Sequence, residues 1–310
     1  MRNVSYVHKF LFVTLLNICV SANVLAGDLP KKHVKHLYDL KAEQAGGFLL
    51  PSDVAISRQY IYVVDGGKHR VVVFDLKGDY QFTFGKAGKN KSEFNYPVGI
   101  DVATDGTVYV ADSGNKRIQV FNTKGKYVRQ FKARSGRYRI RPVDVLVDEK
   151  KNELYVSANE THEVLVFSTK GKFQRKWGGD GLSEGDFRFP ATLAHLKDGR
   201  VAVVDVLNSR VQVFTKEGKY STQIAGWGVT AGQVFRPKGI AVNKKGDVYV
   251  SDSYLNVVQV FSDDGQMQGV LDISAANKLY TPVGMSFDRK NYLYITEMRN
   301  NRVSVFKTDP

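Results

Sequence analysis

The sequence predicts an all-β fold, a six-bladed β-propeller of four-stranded antiparallel blades whose ring is closed by an N-terminal outer strand joining the C-terminal blade. Three observations predict it. A proline recurs at Pro51, Pro97, Pro142, Pro190, Pro237 and Pro282, with spacings of 46, 45, 48, 47 and 45 residues. After each proline, period-two runs rich in Val, Ile, Tyr and Phe are broken by Gly and Asp turns into short strands. The third run always ends in Val-Phe, at Phe74, Phe121, Phe167, Phe214, Phe261 and Phe306. In five of these copies a glycine follows four residues later, where a hairpin loop favours a left-handed residue without a Cβ (Gly78, Gly125, Gly171, Gly218, Gly265). One such meander buries too little surface to stand alone, whereas six in a ring leave only short, protected edges.

Residues 95–131 show the unit most clearly. Pro97-Val98-Gly99-Ile100-Asp101-Val102 forms the first strand and Asp105-Gly106 the turn after it. Val108-Tyr109-Val110-Ala111 is the second strand, ending at Asp112. The corner Ser113-Gly114-Asn115-Lys116-Arg117 leads to the third, Ile118-Gln119-Val120-Phe121, and residues 127–131 give the fourth. The sixth copy supplies three strands, through Phe306, before the chain ends. Residues 33–41 align with the fourth strand of the repeat, so one blade is expected to draw on both ends of the chain, with residues 28–32 as a short leader. Alternation then divides the connections. Strand one-to-two and three-to-four turns share one face; the corners and the longer blade-to-blade loops share the other. Long polar loops on a rigid ring are where binding usually sits, so the second face is the expected working surface.

The 310 residues divide into a segment 1–26 and a single propeller domain, 27–310, with no linker between repeats. The first segment has basic residues, an apolar stretch over 10–20, and small residues ending in Val24 and Ala26. It reads as a secretory signal cut before Gly27, with an uncleaved membrane anchor as the alternative. The expectation is an exported monomer, periplasmic or extracellular, touching a membrane only if the signal stays attached. Cys19, the sole cysteine, lies in that segment, so the propeller has no disulfide. The net charge is +14; without Arg2 and Lys9 it is +12, from 43 basic and 31 acidic residues. That excess favours anionic partners through long-range attraction. Exported proteins meet acidic glycans and acidic proteins first, so nucleic acid is not an expected partner.

The pattern P-x-G-I-x-V, G-x-V-Y-V-x-D-S, N-x-R-[IV]-Q-V-F, clearest at residues 97–131 and 237–261, resembles the NHL repeat of secreted bacterial propeller proteins and covers nearly the whole domain. The resemblance implies the propeller fold and little about activity. NHL-type propellers include RNA-binding domains, extracellular sensor domains and a zinc-dependent amidating lyase, so function must be argued from the site.

Several constellations are candidates. The corner motif Asp–Asn–Arg is complete at Asp112/Asn115/Arg117 and Asp205/Asn208/Arg210, and close to it at Glu297/Asn300/Arg302 and Asp65/Lys68/Arg70. Because it repeats, it is expected to be structural, a charge-assisted bond fixing the corner against the next blade. Copies three (Ala158/Thr161/Glu163) and five (Asp252/Leu255/Val257) break it. Asp53 and Asp144, two residues after their prolines, face the channel mouth or cap strand ends. With His195 they form the alternative site, holding a divalent cation for a metal-assisted lyase or lactonase. The lyase resemblance implies histidines directly after the prolines, but those positions are Ser52, Val98, Val143, Ala191, Lys238 and Val283. His195 is therefore expected to be a hydrogen-bonded core residue, and no cofactor is expected. Trp177 and Trp227 occupy what read as equivalent blade exits, closing gaps between blades or serving as sugar platforms. The strongest functional signal is basic: Arg134, Arg137, Tyr138 and Arg139 in one long loop, with Lys89 and Lys91 in the loop before it. Guanidinium forks beside an aromatic ring suit carboxylate, sulfate or phosphate groups. The reading is an exported binding or scaffolding module for an acidic ligand, such as an anionic polysaccharide, or a protein partner.

Overall fold

The computed structural model describes residues 30–308. They form six four-stranded antiparallel sheets arranged radially, so the propeller with its six blades is the observed architecture. The inner strands are Pro51–Ile56, Pro97–Val102, Pro142–Asp148, Pro190–His195, Pro237–Val242 and Pro282–Phe287. We number the blades one to six after them. Each begins with its proline, where the missing N–H costs no ladder bond. A register shift follows in every blade, as between Pro97 and Ile100.

The core is not central. Six apolar clusters lie one at each junction between neighbouring blades. Strand two of blade two shows why: Val108 and Val110 pack against blade one, while Tyr109 and Ala111 pack against blade three. Both faces of a blade are covered, so both phases of the alternation are apolar. The six strand-ending phenylalanines are 0–2% exposed, and each contributes roughly 2–3 kcal/mol of burial.

Ring closure follows the sequence expectation and extends it. The strand Lys31–Leu40 runs antiparallel to Arg302–Thr308 as the outermost strand of blade six. It begins within the stretch expected to be a leader. Its first residues, Lys31 to His33, also pair in parallel with Val270 to Asp272 of blade five, fusing the two blades into one eight-stranded sheet. Asp39 fastens the clasp through Arg302 (3.0 Å), Ser304 (2.8 Å) and His36 (2.9 Å). Residues 1–26, expected to be a secretory signal, lie outside the described residues.

Candidate functional site

The corner motif is structural, and it grips a different partner from the one expected. Arg117 donates to Asp112 (2.6 Å) and to the carbonyl oxygens of Lys89, Asn90 and Glu93. Those carbonyls belong to the loop leading into its own blade, not to the next blade. Arg210 repeats the arrangement with Asp205 and the carbonyls of Leu182, Ser183 and Asp186. The next blade is reached from the corner residue just before the third strand. His69 Nδ1 accepts the Tyr96 N–H (2.9 Å) and His162 Nδ1 the Phe189 N–H (3.1 Å).

The channel residues also act between blades. Asp53 accepts the Ile100 N–H of blade two (2.9 Å) and Asp144 the Leu193 N–H of blade four (2.8 Å). Asp101, which sequence reasoning passed over, does the same for Val147 of blade three (2.8 Å); its signal was an acidic residue inside an apolar run. Each carboxylate therefore staples one inner strand to the next, and Asp101 also accepts the Val102 N–H of its own strand (2.8 Å). Glycine makes room for this: a Cβ on Gly99 would lie 2.4 Å from Asp144 Oδ1, and one on Gly284 2.2 Å from Asp53 Oδ1. Burial raises all three carboxyl pKa values, Asp53 to about 7 and Asp101 to about 6, with Asp144 pushed well up by burial and then by Asp53.

His195 lines the same channel, a cavity of about 210 Å³. It lies two residues beyond Leu193, roughly 7 Å further along the strand. Its ring packs edge-on to Tyr155 at 5.6 Å, its Nε2 is buried without a hydrogen-bond partner among the described residues, and burial lowers its pKa. Among the described residues no group of three or more His, Cys, Asp or Glu side chains forms a cation cage. Asp53, Asp144 and His195 do not close into such a cage, and both carboxylates are engaged by backbone N–H groups of the next blade.

The basic loops converge in part. Residues 134–139 form a small hairpin in which Arg134 pairs across the strands with Arg139, and Ser135 with Tyr138. Buried Ala133 and Ile140 anchor its base. Two guanidiniums directly opposite each other repel, and neither has a carboxylate partner among the described residues. Arg139 joins Lys89, Lys132 and Phe131 in a groove of about 370 Å³. Arg137 lies over the Tyr138 ring at 5.5 Å, while Lys91 turns aside to the Tyr127 ring at 5.8 Å. The last arginine, Arg141, is neutralised by Glu160 at 3.1 Å.

The tryptophans are not equivalent. Trp177 pairs with Val164 in blade three, and its counterpart in blade four is Ile224, opposite Val211. Trp177 is 8% exposed and closes the gap to blade four against Phe214. Trp227 lies three residues past Ile224 on the long-loop face and is 71% exposed. Of the fourteen large apolar side chains exposed among the described residues, eleven are on that face.

Comparison with known proteins agrees with the fold. A model of the NHL repeat matches residues 94–121, and a family model described as a 6-bladed beta-propeller matches residues 190–308. Protein brain tumor of Drosophila melanogaster is 35% identical over 88 residues, 27% of this chain and 8% of that protein, so the chain spans a small part of that relative. Solved structures of similar shape include a gluconolactonase from Xanthomonas campestris. It is 17% identical, with TM-score 0.66, covering 92% of this chain and 96% of that one. A virginiamycin B lyase from Staphylococcus aureus is 14% identical, with TM-score 0.63, covering 88% and 98%. At these identities the likeness is one of fold alone.

Proposed function

We propose that the protein is an exported binding module whose long-loop face takes an acidic ligand, an anionic polysaccharide, on the basic hairpin and the groove beside it. The observation that carries this reading is the exposed cross-strand pair Arg134–Arg139, of which Arg139 shares a groove with Lys89 and Lys132 that no carboxylate lines. Like charges held this close cost stability that a bound polyanion returns. Guanidiniums supply paired N–H donors to carboxylate or sulfate oxygens, and Tyr138 offers a flat face to the chain carrying them. Affinity of this kind falls with salt as the field is screened over about 8–10 Å.

The expected result is retention on heparin or alginate that weakens steeply with salt and is abolished in the Arg137→Glu/Arg139→Glu variant. Retention unchanged by that charge reversal would remove the reading. A metal-assisted lyase or lactonase at the channel mouth is the second reading. Its support is the buried acid pair Asp53 and Asp144 in a fold shared with the lyase and gluconolactonase above. Against it, each of these carboxylates already accepts a backbone N–H of the next blade. Lactone or cyclic-depsipeptide turnover that depends on an added divalent cation and is lost in Asp53→Asn would favour it over the binding module.

A further inference from the structure

Blade five is the second blade whose corner lacks the arginine, and its lead-in loop carries an arrangement found nowhere in the basic hairpin. Val257 stands where the guanidinium would be, so Asp252 holds the corner through the backbone N–H groups of Phe235, Arg236, Tyr254 and Leu255 alone. Trp227 pairs with Val234 in a short parallel bridge, next to Phe235. The Phe235 ring meets Tyr254 at 4.7 Å, and Tyr254 is 64% exposed. The Phe235 and Tyr254 rings make an aromatic shelf, and exposed Trp227 stands in the same lead-in loop.

Two cations flank the shelf, and neither is ion-paired among the described residues; the Asp252 carboxylate beside them is taken up by backbone N–H groups. Arg236 is exposed over the Phe235 ring at 5.9 Å. Lys238, directly after the proline that opens the inner strand, is half-buried. Its ammonium has no hydrogen-bond or ion-pair partner among the described residues. Burial and then the charge of Arg236 pull the Lys238 pKa down, the mark of an ammonium that lacks a counter-ion. Partly desolvated charge is retained at a cost unless something pairs with it.

We propose that blade five holds a ligand subsite for one acidic sugar ring, with Lys238 and Arg236 taking its carboxylate and the Phe235, Tyr254 and Trp227 rings stacking on its apolar face. A sugar bearing a carboxylate matches both halves of the site. A bare anion uses only the cations and a neutral sugar only the shelf. The inference rests on the acidic-glycan reading and narrows it to uronate chains, with a second point of contact away from the hairpin.

Trp227 is its own reporter, since the chain has two tryptophans and Trp177 is buried. In a Trp177→Phe background, D-glucuronate and a galacturonate trimer are expected to change Trp227 fluorescence saturably. Lys238→Met and Arg236→Gln should each weaken the trimer by roughly tenfold, the usual worth of a charge-assisted hydrogen bond. Tyr254→Ala should weaken it as well. Arg236→Gln alters an exposed side chain and keeps the test open if Lys238→Met disturbs the ring. An equal response to acetate or inorganic phosphate would overturn the sugar half of the proposal, and an equal response to methyl glucoside the acid half. No response to either uronate, in protein that still binds alginate through its hairpin, would overturn the subsite and leave the hairpin reading intact.

Discussion

The loops that lead into blades two and three are built from the same repeat and do opposite things. Residues 85–96 are pinned: Arg117 holds three of their carbonyls, Asn115 takes a fourth from Gly88, and Asp112 takes the Asn95 N–H. Residues 132–141 meet a corner where Ala158 and Glu163 replace that Asp and Arg. Their base is held instead by Lys176, which pairs with Glu163 and donates to Ser135 (3.0 Å). Freed from the guanidinium clamp, this loop folds on itself as a hairpin and turns its arginines outward. Where the repeat keeps its motif the charge is spent on architecture, and where it loses the motif the arginines stand exposed.

The largest expected effect breaks the pinned side. Arg117→Met removes a 6%-exposed guanidinium and strands fully buried Asp112, a loss of about 3–5 kcal/mol. It reads as a fall in the thermal midpoint, and a shift of only a degree or two would refute the clamp.

The next test keeps the channel out of the comparison. The folded state raises the Asp53 pKa from its ordinary 3.8 to about 7, so the fold favours the protonated acid. Its contribution is whole below about pH 4 and is lost as pH climbs through 7. Asp53→Asn keeps an acceptor for the Ile100 N–H and removes the titration. The variant should be more stable than wild type at pH 8, with the difference vanishing near pH 4 in urea titrations.

The smallest effect sharpens the free side. Arg134→Ser relieves the like-charged pair with Arg139 and should stabilise by about 0.2–1 kcal/mol at low salt. In 0.5 M salt the gain should disappear, while alginate retention weakens at every ionic strength tested. Loss of stability at low salt would mean that the arginine pair is not repulsive.

The fold was legible because each blade states it again: the prolines, the Val-Phe endings and the turn glycines recur in step. The clasp was legible because residues 33–41 match a fourth strand that the last copy lacks. What the Arg117 fork would grip was not, since backbone carbonyls leave no mark in side-chain identity. Trp227 was misaligned for a related reason. Glycine on either side mimics the exit at Trp177, but only strand pairing reveals that Ile224 takes that place. Of the basic residues, Lys89 and Arg139 meet in one groove and Lys91 does not, a division that depends on how the pinned loop turns. Arg236 and Lys238 escaped attention because a proline separates them and neither belongs to a charge run.

The clasp has a consequence for how the molecule is made. Its strand is synthesised before any blade, and its antiparallel partners, residues 302–308, follow all five complete blades. Five blades can assemble on the nascent chain and blade five can hold Lys31 to His33, but the rest of this strand waits for residues 302–308, and a chain stalled before them exposes open sheet edges. Biosynthesis of this ring therefore carries a built-in check on completeness.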